Sequence, residues 1–483
     1  MDVRRRLDSL FKGPDEFDLT SGGIGKPLFF LSMPIVVTNL FQTAYNLADT
    51  FWLGQYSTDA LAAISFAFPM VFLLISLGMG ISVAGSVLVA QYTGAGKTAE
   101  AEYAASQTMT FAVIASVLLG GIGYFLIEQF LGIMGASDDV LPLATDYMEV
   151  ISLGLLFMFG FAVFIALMRG YGDTITPMLV MFGSVVLNIV IDPFLIFGWG
   201  PFPELGIQGA AIATVFSRGL ALVVGLAIMF RGARGVQINL RDMAPDLDYL
   251  RRLVRIGLPA SIEGTGRAVS MNLLLFIVAL FPDAVVAAYG IGTRMFSVVF
   301  LPAIAVARGV ETMTGQNMGA GKPERAERAA GLAAEVLFGV LTVAGIVVFL
   351  FPEPLASVFV GSGQENADRV VTVASQFLRY VALTFGFIGI MRAYTGSFRG
   401  AGKTLTAAAI SVVMLAVVRF PIAWIGAEAI GERGIWLSFA ISNVVGAVIA
   451  YAWYRRGTWR DEDLTEEGVD IGDANADHLA TDD

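Results

Sequence analysis

Asn39, Gln42, Asn46 and Asp49 stand three, four and three residues apart in the first apolar stretch. A helix there carries all four on one face. Asn188 and Asp192 are four apart in a later stretch, again on one helical face, and Thr214 lies in the stretch after that. Asp49, Asn188, Asp192 and Thr214 make an oxygen-rich donor set that suits a small hard cation such as Na⁺. Two carboxylates close together also hold a shared proton readily. A charged side chain in mid-membrane costs on the order of 2.5–3.5 kcal/mol, so it faces the protein interior and has a partner or a task. These four are the candidate cation-coupling residues, with Gln42 and Asn46 as support on the same face. The plainer reading is that Asp49 caps a helix or pairs with a base, and that Asp192 does the same before Pro193. In the helices of this half, only Arg218 offers such a pair. The chain has no Cys, and its one His, His478, lies in an acidic tail. Thiolate and imidazole centres within the membrane are excluded.

These side chains need elements to hold them, and composition says which. Hydrophobic residues make up 56% and charged residues 15% of the chain, against roughly 25% charged in soluble domains; the mean hydropathy is +0.73. Apolar runs long enough to cross ~30 Å of hydrocarbon occur twelve times, near 27–53, 60–92, 102–127, 143–168, 176–198, 207–230, 250–281, 285–317, 327–350, 371–396, 405–426 and 434–454. At ~1.5 Å per residue, Asp49 lies about 33 Å along the first span. Asp192 lies about 24 Å along the fifth, and Thr214 about 11 Å from the outer end of the sixth. All fall in the outer half, within one lobe. Pro34 sits inside the first span, where it removes a backbone hydrogen bond and permits bending.

The chain repeats itself. Residues 89–105 read VAQYTGAGKTAEAEYAA and residues 314–330 read TGQNMGAGKPERAERAA. RGYGDT at Arg169–Thr174 is matched by RGAGKT at Arg399–Thr404, GIQG (206–209) by GERG (431–434), and Pro34 by Pro259. Such self-similarity in an apolar chain points to two lobes of six spans, related by an axis along the membrane normal. The fold class expected is therefore all-α, with twelve transmembrane helices in two six-helix bundles. The expected organisation is a cytoplasmic lead-in (1–26), an N-lobe (27–235), a linker (236–249), a C-lobe (250–456) and a disordered acidic tail (457–483). If the N-terminus is cytoplasmic, that side holds 21 of the 30 Lys and Arg. The opposite loops hold only Arg369 and Arg433. This is the positive-inside bias, with both termini cytoplasmic. The net charge of -11 is mostly the tail, since residues 461–483 hold ten acids and no base. The GAGK turns invite comparison with a phosphate-binding loop, but that motif needs Gly where Gln91, Gln316 and Ser397 stand. Nucleotide use is not expected.

The stretches MPIVVTNLFQTAYNLADTFWLG (33–54), NIVIDPFLIFG (188–198) and GAAIAT (209–214), with both Arg-Gly turns, resemble the multidrug and toxic compound extrusion (MATE) family. The likeness covers residues 27–456 and is greatest for the prokaryotic branch with two N-lobe aspartates. It implies two bundles around a cavity open to one side at a time. By position it assigns Asp49, Asn188, Asp192 and Thr214 to a cation site and places Gln42 and Tyr147 beside it. It makes Pro34 a hinge. It implies a multi-pass plasma-membrane antiporter that exports lipophilic or cationic compounds in exchange for Na⁺ or H⁺. No cofactor, nucleic acid or nucleotide is expected, and the expected state is a monomer rather than an enzyme or channel. The alternative is a flippase for lipid or polysaccharide precursors. It would need Arg267, Arg294 and Arg308 to face the cavity rather than carboxylates such as Glu263 and Glu311, which are expected to neutralise neighbouring arginines.

Overall fold

The computed structural model describes residues 18–133, 137–232, 234–360, 367–461 and 464–465. Each of the twelve apolar stretches forms a helix or a helix series, and no β-strand occurs among the described residues. The N-terminal half holds α1 (Gly25–Tyr56), α2 (Thr58–Gly94), α3 (Thr98–Ile133), the pair α4 (Leu141–Leu153) and α5 (Leu155–Tyr171), α6 (Ile175–Ile196) and α7 (Gly206–Phe230). The C-terminal half repeats the series with α8 (Leu247–Val278), α9 (Asp283–Gly319), α10 (Pro323–Leu350), a short α11 (Pro352–Ser357) and the pair α12 (Ala367–Ala382) and α13 (Phe385–Gly400). It ends with a span built from α14 (Thr404–Val412), a π-helical stretch (Val413–Arg419) and α15 (Phe420–Ile430), followed by α16 (Glu432–Arg455).

Among the described residues nine spans are long and apolar enough to cross a membrane, and two bent pairs bring the number to eleven. The twelfth, α8, has the length but carries Arg251, Arg252, Arg255, Glu263 and Arg267. It packs on α2 and α14. The two bent spans stand at equivalent places in the halves and bend alike, by 54° between α4 and α5 and by 52° between α12 and α13. The packing repeats as well: α2 lies on α3 and α5 as α9 lies on α10 and α13, and α1 lies on α6 as α8 lies on α14. Two like bundles are what the repeated motifs anticipate.

The lobes meet through α2 against α8 and through α9 against α2 and α1. In lipid, helices gain little from apolar burial against each other, so small residues that allow close approach decide where they touch. At the GAGK ends the approach is reciprocal. A Cβ on Gly94 would lie 1.9 Å from the Gln316 carbonyl oxygen, and one on Gly319 would lie 1.9 Å from that of Gln91. Each Gln also reaches into the other lobe's Arg-Gly turn. Gln91 donates to the Gly400 carbonyl (2.9 Å), and Gln316 donates to those of Gly170 (3.2 Å) and Tyr171 (2.9 Å). The repeated Gln and Gly therefore mark the pseudo-two-fold axis where the lobes touch.

Chain segments strap this end further. Arg325 at the start of α10 donates to the carbonyls of Leu19, Ser21, Gly22 and Gly23, and Lys322 to that of Thr20. Residues 18–23 are thus tied to the C-lobe. Residues 457–483 read in the sequence as a solvated disordered tail, and the described part departs from this. Trp459 is buried and stacks on Tyr454, Leu464 is buried, and its amide donates to Gln91 Oε1 (3.2 Å). Lys97 donates to the Thr465 carbonyl (2.9 Å). Trp459 and Leu464 bury because they are large and apolar; a charge tally over the whole tail hides them. Residues 1–17 and 466–483, with the Arg-rich start and most of the acidic tail, lie outside the described residues.

Candidate cation site and central cavity

α1 packs along α6, and α6 along α7. This brings the sequence-marked residues together at one depth. Asp49, Asn188, Asp192 and Thr214 are all buried. The Asp49 carboxyl interacts directly with Asp192 and Thr214. Asn188 donates through Nδ2 to Asp192 Oδ1 (3.0 Å), the contact their one-turn spacing allows. That bond turns the Asn188 carbonyl oxygen away from its own helix neighbour. Asp49 Oδ1, Asp192 Oδ2, Asn188 Oδ1 and Thr214 Oγ1 are buried and, beyond these approaches to one another, have no hydrogen-bond partner outside the cluster. Unmatched buried oxygens are costly, about 1–3 kcal/mol each. Four from one cluster fit a ligand that supplies positive charge. Tyr45 Oη, buried beside Thr214 and Asp49, is a fifth oxygen of the cluster, and residue type alone does not single it out from the other aromatic residues of the span.

The structural reading of these acids fares poorly. Among the described residues no basic side chain lies within salt-bridge distance of Asp49 or Asp192. Arg218 instead donates to Gln42 Oε1 (2.7 Å) and lies over the Tyr45 and Phe161 rings at 4.7 and 5.4 Å. Gln42 in turn donates to Asn46 Oδ1 (3.2 Å). The polar stripe of α1 therefore divides: Asp49 joins the acid pair, while Gln42 and Asn46 hold Arg218. Tyr147, on α4, is buried close to both acids. α1 runs unbroken through Pro34, with the Thr38 hydroxyl donating to the Pro34 carbonyl (2.8 Å).

The Asp49 side of this cluster lines a cavity of about 760 Å³. Asp192 and Asn188 stand behind the wall. Gln42, Asn46, Tyr147 and Thr214 share the lining with Phe68, Phe72, Phe159, Phe161, Met79 and Met158. Phe68, early in α2, lines the cavity and is 55% exposed, while the lobes are in backbone contact at the GAGK turns, so the cavity opens at the end away from those turns. Arg169, near the end of α5, and Arg308, in the second half of α9, lie toward the closed end.

The C-lobe charges form a network. Glu311 is within reach of Arg308 (2.9 Å), Arg399 (3.0 Å) and, from the other lobe, Arg169 (3.7 Å). Glu263 meets Arg399 (3.2 Å) and Arg392 (3.8 Å) and accepts from Ser411 (2.9 Å). Both glutamates neutralise arginines, as expected. Arg267 lies over the Phe300 ring at 5.7 Å, Arg294 is exposed outside the cavity lining, and only Arg308 of the three lines the cavity.

The MatE family model matches residues 34–194 and 259–425, once in each lobe. An FAD transporter of Shewanella oneidensis is 30% identical over 90% of this chain and 96% of its own length. A probable multidrug resistance protein, NorM, of Thermotoga maritima is 28% identical over 92% of this chain and 96% of its own. The solved structure of a MOP superfamily transporter from Pyrococcus furiosus superposes with a TM-score of 0.85 at 26% identity, over 92% of this chain and 98% of that one.

Proposed function

This chain belongs to the MATE family of multi-pass membrane transporters, and on that premise we propose that it is a secondary active antiporter, exporting amphiphilic organic compounds in exchange for Na⁺ or H⁺ across the plasma membrane. The observation that carries this reading is the cluster of four buried oxygens from Asp49, Asp192, Asn188 and Thr214, with no hydrogen-bond partner outside the cluster, at and just behind the wall of a cavity open at one end. A cation arriving through the open mouth meets Asp49 first, since Asp49 lines the cavity and Asp192 stands behind it. Its charge removes the repulsion between the two carboxylates and satisfies their free oxygens. The packing of α1 against α6 then differs between loaded and empty states. The coupling is limited to the difference in cation affinity between the two conformations. α1 also forms part of the lobe contact through Ser32 against Gly309, and Pro34 lies two residues from Ser32, where bending would bear on that contact.

The basic, GAGK-bearing end is the cytoplasmic one in this reading, as the positive-inside bias demands. The conformation described is then outward-open. The test is efflux from vesicles under an imposed Na⁺ or H⁺ gradient, each varied alone. Asp49→Asn and Asp192→Asn are each expected to lower gradient-driven efflux at least about tenfold, because each removes a charge that the cation answers. Full efflux in both variants would exclude this site. A flippase reading keeps one support, the guanidinium of Arg308 at the cavity wall. It predicts movement of a phospholipid analogue between leaflets without an ion gradient.

A further inference from the structure

Four acidic or basic side chains line the cavity: Asp49, Arg169, Arg218 and Arg308. Three are basic, and the one acid is the acid assigned above to the cation. Two of these arginines, Arg169 and Arg308, belong to a wider set at the closed end. Arg169, Arg308, Arg392 and Arg399 all lie within 4 Å of just two carboxylates, Glu263 and Glu311. Two negative charges do not neutralise four positive ones, and buried charge without an opposite partner is strongly disfavoured. Arg308 and Arg169 reach Glu311 from two lobes, at 2.9 and 3.7 Å, so their guanidinium groups stand together where the lobes meet. Arg169 Nε is buried with no acceptor. The Arg308 side chain retains 21% of its exposure and is open to the cavity. Convergent guanidinium groups with spare donors recognise phosphate and carboxylate, which accept two parallel hydrogen bonds. Toward the mouth the lining turns aromatic, with Phe68, Phe72 and Phe159.

We propose that the cavity takes an organic anion: an amphiphile whose phosphate or carboxylate sits on Arg308 and Arg169 and whose aromatic or apolar body lies along Phe68, Phe72 and Phe159. This departs from the cationic compound expected by resemblance. It rests on the reading of the cavity as the substrate's, and it deepens that reading by giving the substrate a sign. With three arginines against Asp49 the wall is net positive even before a cation binds, and more so once one occupies the Asp49 site. Substrate and cation then bind at opposite ends of one cavity without competing for one carboxylate.

Equilibrium binding to the purified full chain tests this, with no gradient involved. Three probes share one aromatic body: 1-naphthyl phosphate, 1-naphthol and a naphthyl trimethylammonium salt. The phosphate is expected to bind at least about tenfold more tightly than either of the others in the unaltered protein. Its affinity should fall as salt rises. Arg308→Gln should abolish that preference, and Arg308→Lys should restore part of it. Competition by phosphatidylglycerol in mixed micelles, with none from phosphatidylcholine, would assign the same clamp to a lipid headgroup. Equal or tighter binding of the ammonium probe by the unaltered protein overturns the proposal, even if Arg308→Gln fails to fold. Gradient-driven efflux of a cationic compound together with that result would leave the antiport reading standing and remove only this one. Tight phosphate binding without gradient-driven efflux would do the reverse.

Discussion

Thr214 separates two explanations for the acid cluster that geometry alone leaves side by side. Its hydroxyl is buried beside the Asp49 carboxyl and the Tyr45 hydroxyl and has no hydrogen-bond partner outside that cluster. A hydroxyl that only served folding would be expected to donate to its own helix, as the Thr38 hydroxyl does. One that waits for a cation can stay unpartnered, at a standing cost of about 1–3 kcal/mol. Thr214→Val removes the oxygen with little change in shape. Without the coupling ion, thermal stability should hold or rise. Apparent affinity for that ion should fall about tenfold, because one oxygen ligand is lost. Titrating thermal stability with Na⁺ at fixed pH, and with pH at zero Na⁺, reads both effects. A destabilised variant with unchanged ion response would make the hydroxyl structural. Much of this cluster was legible beforehand. Asp49 and Asp192 stand out in a sequence because an acid in an apolar run is costly, and Asn188 declares itself by its four-residue spacing from Asp192. Tyr45 was not legible. Aromatic residues in membrane spans mostly face lipid or neighbouring helices, and only the meeting of α1 with α7 places the Tyr45 hydroxyl beside Thr214. Arg218 was read as a possible partner for Asp49, yet it goes to Gln42 and the Tyr45 ring. Helical spacing says which residues share a face, but it does not say which partner on the next helix is nearer.

The elements α2 and α9 decide which end of the molecule is shut. Both end in GAGK turns, and their last glycines touch the opposite helix at its backbone. Gly94→Ala would put a Cβ 1.9 Å from the Gln316 carbonyl oxygen. A backbone carbonyl cannot move aside as a flexible side chain can, so the two helix ends must separate. The variant should therefore spend more time with the basic end open. The chain contains no Cys, so labels placed by Thr98→Cys and Glu324→Cys, in the first turns of α3 and α10, report on that end alone. Spin-label distances should lengthen and broaden in Gly94→Ala. An unchanged distance distribution, in a protein of unchanged stability, would show that this contact does not hold the end shut. The repeats revealed these turns as equivalent, but their reciprocity needed the fold. Sequence similarity marks like positions, and only packing shows that each Gln reaches the other lobe's Arg-Gly turn. The straps at residues 18–23 and 464–465 escaped notice for a related reason. They are short, they carry no periodicity, and their hydrogen bonds run largely through backbone carbonyls, which every residue offers. The π-helical stretch at Val413–Arg419 was equally hidden. It ends at the buried Arg419, whose guanidinium donates to Ser442 (2.8 Å) and Asn443 (3.0 Å).

At the scale of the whole molecule, the sign of the charges on the two ligands fixes how the membrane potential acts on the cycle. If one cation enters for each organic cation that leaves, no net charge crosses and the potential has no grip. If the exported compound is a monovalent anion, as the three arginines of the cavity wall against the single Asp49 suggest, the entering cation and the leaving anion both carry positive charge inward. Each charge moved through 100 mV is worth about 2.3 kcal/mol. Two charges at that potential, negative inside, therefore support a substrate gradient on the order of a thousandfold even with no chemical gradient of the coupling ion. Proteoliposomes with the basic end inside, loaded with potassium and a fluorescent aryl monoanion, isolate this effect. Valinomycin and low external potassium set the potential, while Na⁺ and pH are matched on both sides. Efflux should accelerate as the interior becomes more negative and should slow when the potential is reversed. Rates indifferent to the potential would mean an electroneutral exchange, and the arginines of the closed end would then serve only to join the lobes through Glu311.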